Sequence, residues 1–192
     1  MDSARRHDLP LSELTPYMRS MRVDCSPVRI GSWEELVAYM EGSAGSVGRI
    51  MAPLLGVPES HHADYGRLGL AFQHANFVRD IAEDYRLDRI YLPLQDRERF
   101  GVTEDDFSHA SASPQLRALV EHEVARSRRL FAAAGPAVAA APAAVRPGIR
   151  LACAVYESVL DRVEAAGYDV LGRRMGVRFW RLPPLAFGAL RP

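Results

Sequence analysis

The stretch from Gln73 to Asp84 constrains this chain more than any other part of its sequence. Its letters are Q-H-A-N-F-V-R-D-I-A-E-D. On a continuous helix that turns about 100° per residue, Gln73, Asn76, Asp80 and Asp84 lie within an arc of about 80°. The residues flanking this arc are largely apolar. The spacing therefore predicts a helix with one polar face, on which two carboxylates stand one turn apart.

Carboxylates at this spacing repel each other, so the helix is weakened unless a cation lies beside Asp80 and Asp84. Glu83 adds a third carboxylate, and the neighbouring amides add neutral oxygens. Oxygen ligands without His or Cys favour Mg²⁺ over Zn²⁺. Arg79 adds a guanidinium fork suited to phosphate. The alternative is an ordinary solvated face, which the arginines between positions 79 and 89 would neutralise.

The motif N-x-x-R-D-x-x-E-D at 76–84, followed by R-I-Y-L-P at 89–93, resembles the second aspartate-rich motif of the phytoene and squalene synthase family. The segment 94–106 is similar to the one that follows this motif in phytoene synthases. The segment 150–170 looks like the last long helix of the family. The likeness covers nearly the whole chain.

The resemblance implies an all-α, isoprenoid-synthase-type helical bundle. It implies a transferase that joins two allylic prenyl diphosphates head to head, through a cyclopropylcarbinyl diphosphate, in carotenoid or isoprenoid biosynthesis. In that family two aspartate-rich motifs face each other, and Mg²⁺, or Mn²⁺ in its place, bridges them to the diphosphates. The implied metal ligands are Asp80, Asp84 and Glu83, and the implied substrate-binding residues are Gln73, Asn76 and Arg79.

The family's first aspartate-rich motif precedes a segment like residues 2–10, where this chain begins. We therefore expect one partial domain over 1–192, a bundle that lacks its N-terminal helices and is inactive alone. A misplaced start, or a complementary chain carrying the first motif, would explain this. The acidic pairs at 34–35 and 105–106 are interpreted as first turns of helices. Helices without their covering neighbours are expected to expose apolar side chains, notably along 39–54 and 63–87.

Glycines recur every third position from Gly42 through Gly45 to Gly48. A phosphate loop is disfavoured, because no Gly-Lys-Ser/Thr follows and no strand is predicted before them. Glycine weakens a helix, so these positions indicate either close helix packing or a bare face that admits a ligand. In the resembling family this segment lines the prenyl-chain cavity, which makes Gly45 and Gly48 substrate-binding and places Tyr39 near the reacting carbons.

Tyr156 falls on the predicted last helix. A tyrosine there is either a core residue with a satisfied hydroxyl or, as the resemblance implies, a catalytic cavity residue that stabilises carbocations or assists diphosphate departure. The histidines form no convincing ligand set and are interpreted as surface, loop or core residues.

Composition excludes several classes. With 24 acidic and 24 basic side chains in 192 residues there is no electrostatic case for nucleic acid. Two cysteines are too few for a disulfide framework, and neither a signal peptide nor a membrane span is evident. A cytoplasmic location is expected. The basic cluster at 173–181 is compatible with peripheral membrane contact or with a solvated helix end.

The periodicity predicts helices and turns without strands. Position 89 to 106 is predicted as a loop, extended at 91–93. The expected helices span 11–22, 32–54, 63–87, 114–133, 146–168 and 169–180.

Three functional hypotheses stay open. The first is a phytoene-synthase-type transferase, with squalene or hydroxysqualene chemistry as its variant. The second is a non-catalytic subunit that binds prenyl diphosphate or completes a heteromer. The third is a helical scaffold whose carboxylates are solvated, and it alone predicts no dependence on metal.

Overall fold

The computed structural model describes residues 8–172, and its regular structure is almost entirely helical. The bounds of the α-helices are α1 Leu14–Val23, α2 Trp33–Met40, α3 Ser46–Leu54, α4 His62–Arg79, α5 Ile81–Arg86, α6 Leu94–Phe100, α7 Pro114–Ala133, α8 Gly135–Ala140 and α9 Arg146–Ala165. A π-helix, Glu41–Gly45, joins α2 to α3. Short 3₁₀ turns lie at Leu11–Glu13, Glu59–His61 and Asp105–Ser108.

Helix α4 is the centre of the bundle. It packs against α3 and the π-helix on one side, against α7 on another and against α9 on a third. Burying side chains on several faces removes much apolar surface from water, which stabilises a central helix more than its intrinsic propensity does. Gln73 and Asn76 of the predicted polar face therefore lie on the central helix of the described bundle.

The predicted helices at 11–22, 32–54, 114–133 and 146–168 agree with the structure within a few residues. Ser32 caps α2 by accepting a hydrogen bond from the Glu35 amide, as expected for a helix start at 34–35. In the described part of the last predicted helix, 169–172, the chain is not helical. Its remainder, like the basic cluster at 173–181, lies outside the described residues.

The prediction of no strands is wrong at one place. Strand β1, Val28–Arg29, pairs in parallel with β2, Arg89–Ile90. Two residues are too few to produce a periodic signal in sequence. The pairing ties the segment after α1 to the segment after α5. The prediction of a loop over 89–106 is wrong in part, because this range contains β2 and the helix α6.

The predicted helix at 63–87 is broken at Asp80, whose φ of −102° and ψ of 13° leave the helical range. The side chain of Arg79 bonds the Asp80 carboxylate, with 2.7 Å between Nε and Oδ1. Short polar side chains at such positions compete with the helical backbone. Asp84 therefore belongs to a separate short helix, α5, and the four polar residues do not share one straight helix face.

The glycine segment packs against α4. A Cβ added at Gly48 would collide with the Tyr65 carbonyl oxygen, and one added at Gly69 would collide with that of Ala44. The pairs 48 with 65 and 44 with 69 also show that α3 runs antiparallel to α4. Close helix packing, one of the two explanations for the glycines, is present at both contacts.

A buried polar network ties α4 to α7. His74 is 1% exposed and lies 3.1 Å from Glu123 Oε2 through Nε2 and 2.6 Å from Ser127 Oγ through Nδ1. Arg126 bonds Glu123 and also Asp96 of α6, the latter at 2.8 Å. Buried charges can be accommodated when they are paired and hydrogen-bonded in this way. His74 is therefore a core residue with a partner at each ring nitrogen, not an unpaired candidate ligand.

Helices α1 and α3 each expose several large apolar side chains. On α3 these are Val47, Met51 and Leu54, in the segment where exposure is expected from the sequence. Leu14 and Met18 are similarly exposed on α1. Among the described residues, no helix is long and apolar enough to cross a membrane.

Replacing Gly48 with alanine should lower the free energy of unfolding by about 1–3 kcal/mol, because the new methyl group has no room beside the Tyr65 carbonyl. Gly148→Ala is the matched control. A Cβ at Gly148 of α9 meets nothing within 4 Å, so alanine there should add about 0.5 kcal/mol. Urea unfolding of both variants measures the difference, and equal effects would contradict the proposed close contact.

Candidate active site

A largely apolar cleft of about 380 Å³ lies between α3, α4 and α9. Four residues predicted from the sequence to belong to the site line it: Gly48, Gln73, Asn76 and Tyr156. The Phe72 ring of α4 packs against the Tyr156 ring of α9 at 4.6 Å between centroids. The structure thus brings together residues from three separate segments of the chain.

The polar end of this cleft is formed by two amides on α4. Asn76 Nδ2 lies 3.5 Å from Gln73 Oε1. The Asn76 Oδ1 atom is buried and accepts no hydrogen bond from the described residues. A buried acceptor without a partner is costly, so this oxygen is suited to a cation or to a donor from a ligand.

A second, polar cleft of about 410 Å³ adjoins the break between α4 and α5. Arg79, Asp80, Glu83 and Arg86 line it on one side, and residues 170–172 line it on the other. Cationic and anionic side chains alternate here. Arg79 is already paired with Asp80, so it is not the unoccupied phosphate fork that the sequence suggests.

Asp84 lies in a small pocket with Phe77, Arg89 and Tyr91. Burial, and next the nearby negative charge of Asp80, raise the pKa of Asp84 to about 7, although Arg89 opposes the shift. A carboxylate with such a pKa lacks compensating positive charge around its ionised form. A divalent cation near Asp84 would supply that charge.

The three acidic residues of the motif do not by themselves converge on one metal position. Among residues 8–172, the single His, Cys, Asp or Glu set with ligand atoms mutually within 4.8 Å is Asp96, His122 and Glu123. There the Arg126 guanidinium bonds both carboxylates and already acts as the cation. The oxygens of Asn76, Asp80 and Asp84 nevertheless fit Mg²⁺, which takes few protein ligands and completes its shell with water and phosphate.

Tyr39 lies apart from Tyr156. Its hydroxyl donates to the Asp24 carboxylate at 2.7 Å, and Tyr91 donates to the same carboxylate at 2.8 Å. Burial, followed by hydrogen bonding with Tyr91 and then with Asp24, raises the pKa of Tyr39 well above its usual range. The Tyr39 ring packs on Phe77, so it borders the Asp84 pocket rather than the apolar cleft.

The profile of the squalene/phytoene synthase family matches residues 1–181 of this chain. The chain belongs to that family. Phytoene synthase from Thermus thermophilus is 36% identical over 189 residues, which are 97% of this chain and 65% of that protein. The 15-cis-phytoene synthase of Synechocystis is 30% identical over 187 residues, 91% of this chain and 56% of that protein.

Solved structures agree with the family. A dehydrosqualene synthase in complex with a ligand matches at a TM-score of 0.88 and 26% identity, covering 95% of this chain and 65% of its own. The squalene synthase HpnC from Alicyclobacillus acidocaldarius matches at a TM-score of 0.80 and 28% identity, covering 86% of this chain and 63% of its own. The predicted isoprenoid-synthase-type helical fold is confirmed. The chain spans less than two thirds of the length of these relatives.

Members of the squalene/phytoene synthase family act on prenyl diphosphates and generally need a divalent metal. In this chain, the two glycines predicted to bind substrate lie in different surroundings. Gly48 lines the apolar cleft, whereas a Cβ at Gly45 would press on Glu41 and Leu70. Gly45 therefore serves the packing of the π-helix.

Two residues near the site were not predicted from the sequence. Asp24 accepts hydrogen bonds from Tyr39 and Tyr91, but it follows α1 without any motif around it. Asp169 accepts from the Ala112 amide at 2.9 Å and pairs with Arg117 at 3.0 Å, which holds the segment beside the polar cleft. Neither lies near the aspartate-rich motif in sequence, so only tertiary contacts reveal them.

Replacing Asp84 with asparagine should stabilise the metal-free protein more at about pH 8 than at about pH 5. An unfolded aspartate ionises near pH 4, whereas the pKa of Asp84 is about 7, so folding stability falls as the pH rises between them. We expect a gain of about 1–3 kcal/mol at the higher pH. Urea unfolding in the presence of a chelator measures it.

The control is Asp105→Asn, which removes an exposed carboxylate far from the motif in sequence. If Asp84→Asn changed the free energy of unfolding equally at both pH values, and by as much as the control does, the raised pKa of Asp84 would be contradicted.

Proposed function

We propose that this chain acts in the head-to-head condensation of two allylic prenyl diphosphates, as a phytoene-synthase-type prenyltransferase of carotenoid or isoprenoid biosynthesis. The observation that supports it is an apolar cleft whose polar end, Gln73 and Asn76, leads to the aspartate-rich motif, which begins at the end of the same helix and continues into α5. Squalene-type and dehydrosqualene-type products remain variants of this function, since the structural relatives bear those names.

The proposed diphosphate site uses the polar end of α4 and the start of α5. Asp80, Asp84 and Asn76 would hold Mg²⁺, although they line three adjacent pockets, and Glu83 lies with Asp80 on the polar cleft. The bound metal supplies Lewis acidity and a template for the diphosphate oxygens. Arg79 would share its guanidinium between Asp80 and phosphate, because its planar fork has donors on two edges.

The proposed chemistry breaks the allylic carbon–oxygen bond of one substrate, releases inorganic diphosphate and leaves a carbocation that the double bond of the second prenyl chain attacks. The second chain then loses a proton as the cyclopropane ring closes. Phe72 and Tyr156 would face this cation, because aromatic faces attract positive charge and exclude water. Tyr39 would act from the other side of α4, with its hydroxyl fixed by Asp24.

We further propose that turnover requires a second acidic motif, facing the one in residues 80–84. Two diphosphates need several Mg²⁺ ions to balance their negative charge, and Asp80 and Asp84 alone offer too few carboxylates to hold those ions. The exposed apolar residues of α3 fit a surface that packs against such a complementary segment or chain. We also propose that the basic residues 173–181 contact a membrane surface, which would give the chain access to prenyl substrates.

The test is Mg²⁺-dependent binding of geranylgeranyl diphosphate, measured by calorimetry. Asp80→Asn combined with Asp84→Asn should abolish it, at least about a hundredfold in affinity, because the metal loses both anionic ligands. The matched control is Asp161→Asn with Glu164→Gln, two exposed carboxylates of α9 that pair with Arg128. The control should bind like the parent chain.

Equal binding by both double variants would contradict the proposed site and favour the scaffold hypothesis. Binding without any product, even beside a polypeptide that carries an opposing acidic motif, would favour a non-catalytic subunit. Product formed by the 192-residue chain alone would contradict the requirement for a second motif.

A further inference from the structure

The apolar cleft has two chemically different ends. Phe72 meets Tyr156 at 4.6 Å, close to Gln73 and Asn76, so this end is polar and adjoins the diphosphate site. The cleft also extends along α4 toward Tyr65. Tyr65 lies three helical turns before Asn76, which corresponds to about 16 Å along the axis.

The other two helices reach the same distal end. Helix α3 is antiparallel to α4, and its Gly48 lies against the Tyr65 backbone, so the later Leu55 reaches beyond it. Helix α9 lies alongside α4, with Tyr156 at the level of Phe72 and Ile149 two turns before it. Tyr65, Leu55 and Ile149 therefore enclose the end of the cleft farthest from the diphosphate site.

Tyr65 is an unusual residue for this position. Its side chain is 3% exposed, and its hydroxyl is buried without a hydrogen-bond partner among residues 8–172. A buried hydroxyl without a partner makes folding less favourable, so the hydroxyl does not explain the residue. What remains is the length and bulk of the ring, which occupies the end of the cleft.

The geometry points to Tyr65 as the residue that sets the longest prenyl chain this cleft accepts. The inference rests on the proposed function, since it assumes that a prenyl chain lies in the cleft with its diphosphate at the Asn76 end. A longer prenyl chain meets the Tyr65 ring and does not fit in the cleft. Removing the ring extends the cleft and lets the terminal isoprene unit leave water.

The experiment compares dissociation constants of farnesyl and geranylgeranyl diphosphate in Mg²⁺ for the full chain, Tyr65→Ala and Tyr65→Phe. In Tyr65→Ala the ratio of the two dissociation constants should change by about tenfold in favour of geranylgeranyl diphosphate, which corresponds to about 1.4 kcal/mol. Phenylalanine keeps the ring and should retain the parent ratio within about twofold. Leu119→Ala, a buried side chain of α7 outside the cleft, controls for a general loss of packing.

A ratio unchanged in Tyr65→Ala, or shifted equally in Leu119→Ala, overturns the role of Tyr65 while leaving the proposed function intact. Failure of the parent chain to bind either diphosphate overturns the proposed function and this inference with it. If Tyr65→Ala does not fold, Tyr65→Leu takes its place, with a shift in the same direction expected and an unchanged ratio overturning the role.

Discussion

The close backbone contact between α3 and α4 is the constraint on which the rest of the structure depends. Gly48 lies so near the Tyr65 carbonyl that no side chain fits between the helices. Glycine in a helix costs conformational entropy, so its presence here reflects the close approach rather than helix stability. Beside this contact α9 closes the third side of the apolar cleft.

Helix α4 divides its faces between stability and chemistry. His74 joins a buried network with Glu123 and Ser127, whereas the nearby Gln73 and Asn76 face the cleft. The buried network fixes the rotation of α4 about its axis, because turning the helix would leave charged groups unpaired. Cleft-facing amides and a structural ion network are thus interleaved along one helix, and the position of one depends on the other.

Much of this arrangement could be predicted from sequence, and the failures have specific physical causes. Periodicity located the long helices, and the motif at 76–84 indicated the family. Periodicity could not show the break at Asp80, because the helical spacing of polar residues continues from Asn76 through Asp80 to Asp84. It could not find β1 and β2, whose pairing joins distant segments, or Asp24, whose role exists only through Tyr39 and Tyr91.

The central claim is that the aspartate-rich motif and the apolar cleft form one continuous prenyl-diphosphate site. A crystal structure of the full chain with Mn²⁺ and a non-ionisable prenyl diphosphate analogue tests it most directly. The account predicts anomalous density between the diphosphate and Asp80 or Asp84, with the prenyl chain running past Phe72 toward Tyr65. Metal bound at Asp96 and Glu123 instead, or a prenyl chain outside the cleft, would contradict it.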